Sequence, residues 1–123
     1  MRTLLALLLL ALIPLGIAAR DYLVVIPEDA FAYVPSDLTV VEGDRVSFDY
    51  SGFHPLRQVI AMNSTVSPPN ALLCDDSTPI CERVMDQPGD FFYICVTHHQ
   101  THDMFGRVRV LADRLFADSA EEN

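Results

Sequence analysis

The sequence predicts an all-β fold, a Greek-key β-sandwich of six to eight strands. Short segments of β-branched and aromatic residues recur along the chain, and Pro, Gly and Asp residues separate them. Beyond the N-terminus, no segment repeats its apolar residues at the helical period. The 123 residues leave room for one compact domain.

The N-terminus, residues 1–19, has the composition of a cleaved secretory signal peptide. One basic residue precedes an almost wholly aliphatic run, which ends in a proline and small residues. The run is shorter than the roughly 20 residues that a spanning helix requires, so we expect no membrane span. Cleavage could follow Ala18 or Ala19. We therefore expect an exported protein with one domain over residues 20–111 and an acidic tail over residues 112–123.

The first half of the mature chain carries four strand-like segments. Residues 24–26 and 31–34 are β-branched or aromatic and are broken by prolines, which predicts two short strands. Residues 38–40 and 46–50 alternate apolar with polar side chains on either side of a turn at residues 42–44. This pattern predicts a hairpin with one buried face.

The second half begins with a short strand at residues 59–62. Residues 64–88 are rich in Pro, Asp, Ser and Thr and predict a long irregular loop, with one helical turn near residues 70–73. Residues 91–96 and 104–111 predict the last two strands, on either side of a loop.

The formal net charge of −9 excludes whole classes of partner. An anion of this strength does not attract nucleic acid or anionic lipid. The acidity serves either solubility in the exported compartment or docking to a basic partner.

Chemistry is concentrated in the loop between the last two strands. Cys95 ends a predicted strand, His98 and His99 follow within four residues, and Met104 ends the loop. A thiolate, an imidazole and a weak thioether are three of the four ligands of a mononuclear blue copper site. His54, the one His outside this loop, follows the predicted strand 46–50 and supplies the second imidazole.

Three motifs in this chain resemble those of a known family. Residues 88–95, PGDFFYIC, resemble the run that precedes the ligand Cys in phytocyanins. Residues 104–110, MFGRVRV, are similar to the run that follows the ligand Met in plastocyanins. Residues 43–50, GDRVSFDY, resemble the strand leading to the first ligand His. The chain thus resembles the cupredoxins, which implies one type 1 copper ion and electron transfer.

The loop length leaves the identity of its ligand His open. Plastocyanins place this His three positions after the Cys, which selects His98. Their spacing from the His to the Met, counted back from Met104, selects His99. We favour His98, because such a loop starts from Cys95 with fixed geometry and absorbs an extra residue later, and His99 is the alternative.

The three cysteines predict one disulfide and one free thiol. Phytocyanins pair the Cys of the long loop with a Cys that follows the ligand His, but Gln100 occupies that place here. An exported chain oxidises the cysteines that it can pair. We therefore expect a disulfide between Cys74 and Cys81, which lie close together in the chain, and a free thiol at Cys95.

These features predict an exported, monomeric electron carrier that is not an enzyme, because four protein ligands leave no open position on the metal. Redox partner proteins would dock near the copper loop, where Phe53, Pro55 and Phe105 are expected to surround the loop His. Two alternatives are a copper carrier or chaperone that uses additional imidazoles such as His102, and a metal-free, phytocyanin-like surface module. Asn63 begins an N-glycosylation sequon, which matters only in a eukaryotic host.

Overall fold

The computed structural model describes residues 18–50 and 53–112, and within them it contains eight strands and no helix. The strands form two sheets, which confirms the predicted all-β sandwich. One sheet has the order β1-β3-β6 and the other β2-β8-β7-β4-β5. The strands are β1 (Asp21–Val24), β2 (Asp37–Val41), β3 (Arg45–Phe48), β4 (Leu56–Val59), β5 (Leu73–Cys74), β6 (Glu82–Val84), β7 (Gly89–Cys95) and β8 (Phe105–Leu111).

Parts of the predicted organisation lie outside the described residues. The expected signal peptide does so up to residue 17, and the expected acidic tail does so from residue 113. Within the described residues, no helix has the length and apolar character needed to cross a membrane.

Side-chain alternation explains why the strands bury one face each. In β8, Gly106, Val108 and Val110 are buried, while Arg107 and Arg109 between them are more exposed. Successive side chains of a strand point to opposite faces, so one face of β8 supplies the core and the other carries charge. The buried core joins both sheets and contains Val24, Tyr33, Val40, Val46, Phe48, Leu56, Cys74, Cys81, Met85, Phe91, Tyr93, Cys95, Met104, Val108 and Val110.

The predicted hairpin across residues 42–44 is wrong. β2 pairs in parallel with β8, and β3 pairs in parallel with β1, so β2 and β3 belong to different sheets. The turn between them carries the chain from one sheet to the other. Alternation identified the buried face of each segment correctly, but it does not specify the neighbouring strand.

A buried carboxylate organises this turn. Asp44 is 1% exposed, and its two oxygens accept hydrogen bonds from the backbone N–H groups of Arg20 and Val41, each at 2.9 Å. Gly43 precedes it with a φ of 95°, a left-handed conformation that favours glycine. The Asp44 side chain therefore ties the start of β1 to the end of β2.

Three shorter segments also differ from the prediction. Residues 31–34 form only an isolated bridge, from Val25 to Val34. The strand expected at residues 59–62 instead spans Leu56–Val59, because the chain turns where the Ser64 N–H donates to the Ala61 carbonyl. No helical turn forms at residues 70–73, where the chain extends into β5.

The disulfide between Cys74 and Cys81 is present, and it links the two sheets. Cys74 ends β5 of the five-stranded sheet, and Cys81 precedes β6 of the three-stranded sheet. The Phe48 N–H donates to the Cys81 carbonyl, which holds this loop against β3. Cys95 is the free cysteine, and it is buried.

Candidate metal site

The candidate site lies at the end of the sandwich where β7 finishes and β4 begins. Cys95 is the last residue of β7, and its register partner in β4 is Leu56. His54 stands two residues before Leu56, so the pairing of β4 with β7 brings it beside Cys95. The Val96 N–H donates to the Pro55 carbonyl at 2.8 Å, which extends this contact beyond the strands.

Three possible metal-ligating atoms meet here. The Sγ atom of Cys95 lies 3.8 Å from Nδ1 of His54 and 3.5 Å from Nδ1 of His98. The three donor atoms all lie within 4.8 Å of one another. Among the described residues, this is the group of His, Cys, Asp and Glu side chains that could hold a metal ion.

Backbone hydrogen bonds shape the loop that carries His98. The His99 N–H donates to the Cys95 carbonyl, and the His102 N–H donates to the His98 carbonyl, both at 3.0 Å. The loop closes where the Cys95 N–H donates to the Met104 carbonyl at 2.9 Å. Met104 is completely buried in the core that also contains Cys95, so its side chain lies away from solvent.

His99 points away from this cluster. Its Nδ1 atom lies 3.0 Å from the Cys95 carbonyl oxygen and 3.1 Å from that of Val96. Because carbonyl oxygens only accept hydrogen bonds, Nδ1 of His99 carries the hydrogen and donates it. The structure therefore brings His98 to Cys95 and His54, and it leaves His99 outside the cluster.

Phe31, which the sequence does not single out as a site residue, packs against three imidazoles. Its ring centroid lies 6.0 Å from that of His54 and 4.7 Å from that of His98, and it stacks on His102 at 4.0 Å. His102 is exposed and lies in no metal-ligating group of the described residues. No local signal identifies Phe31, because it reaches the site from the loop after β1.

The apolar residues that we expected around the ligand His of the loop are only partly in place. Phe53 lines the groove next to His54 and His98, and its side chain is 80% exposed. Phe105 instead borders a different cavity, together with His99. The aromatic ring that contacts His98 is Phe31, which the strand pattern had assigned to a sheet.

Burial shifts the pKa of two members of the cluster, His54 and Cys95. Desolvation lowers the pKa of His54, and the nearby His98 lowers it further, whereas Asp49 opposes the shift. Burial raises the pKa of the Cys95 thiol, although the backbone N–H groups of His98 and Thr97 favour its thiolate. His54 is therefore neutral near pH 7, with a lone pair available to a metal.

The donor set fits copper. One thiol and two imidazole nitrogens suit a borderline-soft ion, and the buried Met104 would add a weak thioether ligand. Among the described residues, no carboxylate belongs to the cluster, which disfavours the oxygen-seeking ions Mg²⁺ and Ca²⁺. Binding would require Cys95 to release its proton, since the thiolate is the ligating form.

A groove of about 560 Å³ opens beside the cluster. His54 and His98 line it, together with the loop after β1 and with Asp49, Tyr50 and Phe53. One face of the candidate site is therefore accessible from solvent, although Cys95 itself is buried.

Comparison with known proteins gave matches among solved structures only. No family model matches the chain, and no curated protein matches it. A pseudoazurin structure from Methylobacterium extorquens is 18% identical, covers 84% of this chain and 85% of its own, and has a TM-score of 0.53. A pseudoazurin from Hyphomicrobium denitrificans is 17% identical, with 84% of each chain covered and a TM-score of 0.53.

A third structure is titled a novel purple cupredoxin from Nitrosopumilus maritimus. It is 22% identical, covers 73% of this chain and 99% of its own, and has a TM-score of 0.50. At these identities the likeness shows the fold alone, and it agrees with the two sheets described above. The chain has the cupredoxin fold.

Proposed function

We propose that this protein binds one copper ion through His54, Cys95, His98 and Met104 and carries single electrons between redox proteins. The observation that supports this most directly is the approach of two imidazole nitrogens to one thiol, at 3.8 and 3.5 Å. The likeness in fold to proteins titled pseudoazurin and purple cupredoxin adds support.

When bound, copper supplies a one-electron couple between Cu(I) and Cu(II). Cys95 contributes its thiolate, which the backbone N–H groups of His98 and Thr97 stabilise. His54 and His98 face the thiol with Nδ1. If these two nitrogens bind the metal, the Nε2 atom of each ring would carry the hydrogen. Burial of Met104 keeps water from that side of the site.

Rigid placement of these side chains favours rapid electron exchange. The Val96 N–H to Pro55 carbonyl bond joins the segment of His54 to the end of β7. The Cys95 N–H to Met104 carbonyl bond closes the loop of His98. Because both segments are tied to paired strands, we expect the donor atoms to move little when the site changes charge.

Several properties follow from this proposal. Four protein donors leave no open position for a substrate, so the protein is not an enzyme. The disulfide between Cys74 and Cys81 supports export, since such bonds persist in oxidising compartments. We propose that the mature protein acts as a monomer in the periplasm or outside the cell, and that redox partners dock near the copper loop.

The test of the ligand set compares His98→Ala with His99→Ala. We expect the parent protein to bind one copper ion per chain and to show thiolate-to-copper absorption. His98→Ala should lose or alter this absorption, whereas His99→Ala, the matched control one residue away, should retain it. Loss in His99→Ala alone would transfer the role to that residue. Binding of several ions without thiolate absorption would favour a copper carrier, and failure to bind copper would favour a metal-free surface module.

A further inference from the structure

The groove beside the metal site combines exposed aromatic surface with negative charge. Phe31 and Phe53 are 43% and 80% exposed and line it from two different segments. Glu28, Asp29 and Asp49 line it as well. Large apolar side chains left in water along one groove are typical of an interaction site.

The carboxylates of the groove are available to a partner. In the described part of the chain, neither Glu28 nor Asp29 forms an ion pair, whereas Asp37 pairs with Arg107 on β8. The second ion pair, between Asp90 and Arg109, also lies on the β7–β8 sheet. Asp49 accepts a long hydrogen bond of 3.5 Å from the Ile26 N–H and adds a third negative charge. No basic residue is among the described residues that line the groove.

We propose that this groove docks a basic redox protein, which inserts a lysine or arginine side chain next to His54 and His98. The inference rests on the proposed electron transfer and names the partner's chemistry. A single electron passes between the metal site and the partner's redox centre, and no bond forms or breaks. His54 and His98 lie at the groove wall, so the docked partner approaches the metal ligands directly.

The dimensions and chemistry of the groove suit such a side chain. A long basic side chain has an apolar stem and a charged end, and the stem can pack on Phe31 and Phe53 while the charge meets Glu28 and Asp29. Charge complementarity of this kind increases the association rate and selects the partner. It also makes association depend on salt, since exposed charges are screened over about 10 Å at 0.1 M ionic strength.

The test uses cytochrome c, a basic haem protein, as the probe. We expect the amide NMR signals of Ile26 and of residues 28–31 and 49–50 to shift when the reduced, copper-loaded protein is titrated with reduced cytochrome c. The double variant Glu28→Gln/Asp29→Asn should weaken binding about threefold to tenfold at low ionic strength. Asn tolerates the left-handed backbone at position 29, where φ is 61°, so this variant should fold normally.

The matched control removes two charges at the opposite end of the sandwich. Glu42 and Asp86 are exposed and lie in the turns that follow β2 and β6. The double variant Glu42→Gln/Asp86→Asn should change binding less than about twofold, and about 1 M salt should abolish the difference between the two variants.

The outcomes separate docking from electron transfer. Equal weakening in both double variants, or shifts centred on residues 42–44, would overturn the proposal, because net charge alone would then explain binding. If the protein exchanges electrons with hexacyanoferrate(III) but does not bind cytochrome c, electron transfer stands and the docking proposal fails. If cytochrome c binds at the groove but no electrons are exchanged, docking stands and the proposed function fails.

Discussion

Gly106 is the residue whose enlargement should disturb the sandwich most sharply. It lies opposite Tyr93 in the pairing of β8 with β7, two residues after Met104. A Cβ atom added at Gly106 would overlap the Cζ, Oη and Cε2 atoms of the Tyr93 ring. Tyr93 is itself two residues before Cys95, so any displacement of the ring reaches the strand that carries the proposed thiolate ligand.

The magnitude follows from how little room the ring has. Tyr93 is fully buried, and its ring packs edge-on against Tyr33 at 4.8 Å and Phe48 at 4.9 Å. Overpacking of a dense core costs about 1–3 kcal/mol. Since Tyr93 is enclosed by aromatic rings, we expect Gly106→Ala to lower the free energy of unfolding by about 3 kcal/mol. For a domain of this size that lowers the melting temperature by about 12–24 °C.

The assay is urea unfolding followed by circular dichroism, in a double-mutant cycle with Tyr93→Phe. Among the described residues, the buried Tyr93 hydroxyl has no hydrogen-bond partner, so its removal alone should be neutral or should raise the free energy of unfolding by about 1 kcal/mol. In the double variant the overlap with the hydroxyl is gone while the overlap with the ring carbons remains, which predicts partial rescue. A Gly106→Ala protein within about 0.5 kcal/mol of the parent would refute this reasoning.

Three further predictions concern the disulfide, an ion pair and the ring over the site. Replacing Cys74 and Cys81 with serine should lower the free energy of unfolding by about 2–3 kcal/mol, measured by urea unfolding, because their separation is 7 residues; no change would show that the loop is already ordered when reduced. The hydrogen bond from Arg107 lowers the pKa of Asp37 below the value of 3.8 that its carboxyl has in the unfolded chain. The ion pair therefore stabilises the fold at pH values above 3.8, and this stabilisation is lost as the pH falls through the lower pKa of folded Asp37. In Arg107→Gln the free energy of unfolding should therefore depend less on pH between about pH 5 and pH 2 than in the parent protein. An unchanged pH dependence would show that the Asp37–Arg107 pair does not stabilise the fold. Phe31→Ala should lower the free energy of unfolding by about 1 kcal/mol and alter the imidazole proton NMR signals of His98. Phe31→Tyr should preserve both the stability and these signals. Unchanged imidazole signals in Phe31→Ala would contradict the contact between Phe31 and His98.

The alternation of apolar and polar residues predicted the β-strands and their buried faces, because it follows directly from which side chains are buried. Val108 and Val110 on β8, and Val46 and Phe48 on β3, are buried as the pattern indicated. The same pattern failed at the turn containing Asp44, because strands with one buried face look alike whether they pair or face each other across a sandwich. Long-range hydrogen bonds to the Asp44 carboxylate, such as that from Arg20, leave no local trace in the sequence.

The site could be predicted in composition but not in detail. The spacing of Cys95 and Met104 identified the loop, but counting from its two ends selected different histidines. Backbone bonds wind the loop so that His98 faces Cys95 and His99 turns to the carbonyls behind it. The contribution of Phe31 depends on the path of a distant loop, which no residue spacing near the cysteine specifies.

The most direct test of the central claim is spectroelectrochemistry of the copper-loaded protein. A Cys95 thiolate bound to Cu(II) should give an intense blue or green absorption, which should vanish and return with one electron per chain at a positive potential. Cys95→Ser, with the same backbone and no thiolate, should be colourless. A parent protein that stays colourless with Cu(II), or whose colour does not cycle reversibly, would contradict the assignment of this chain as an electron carrier.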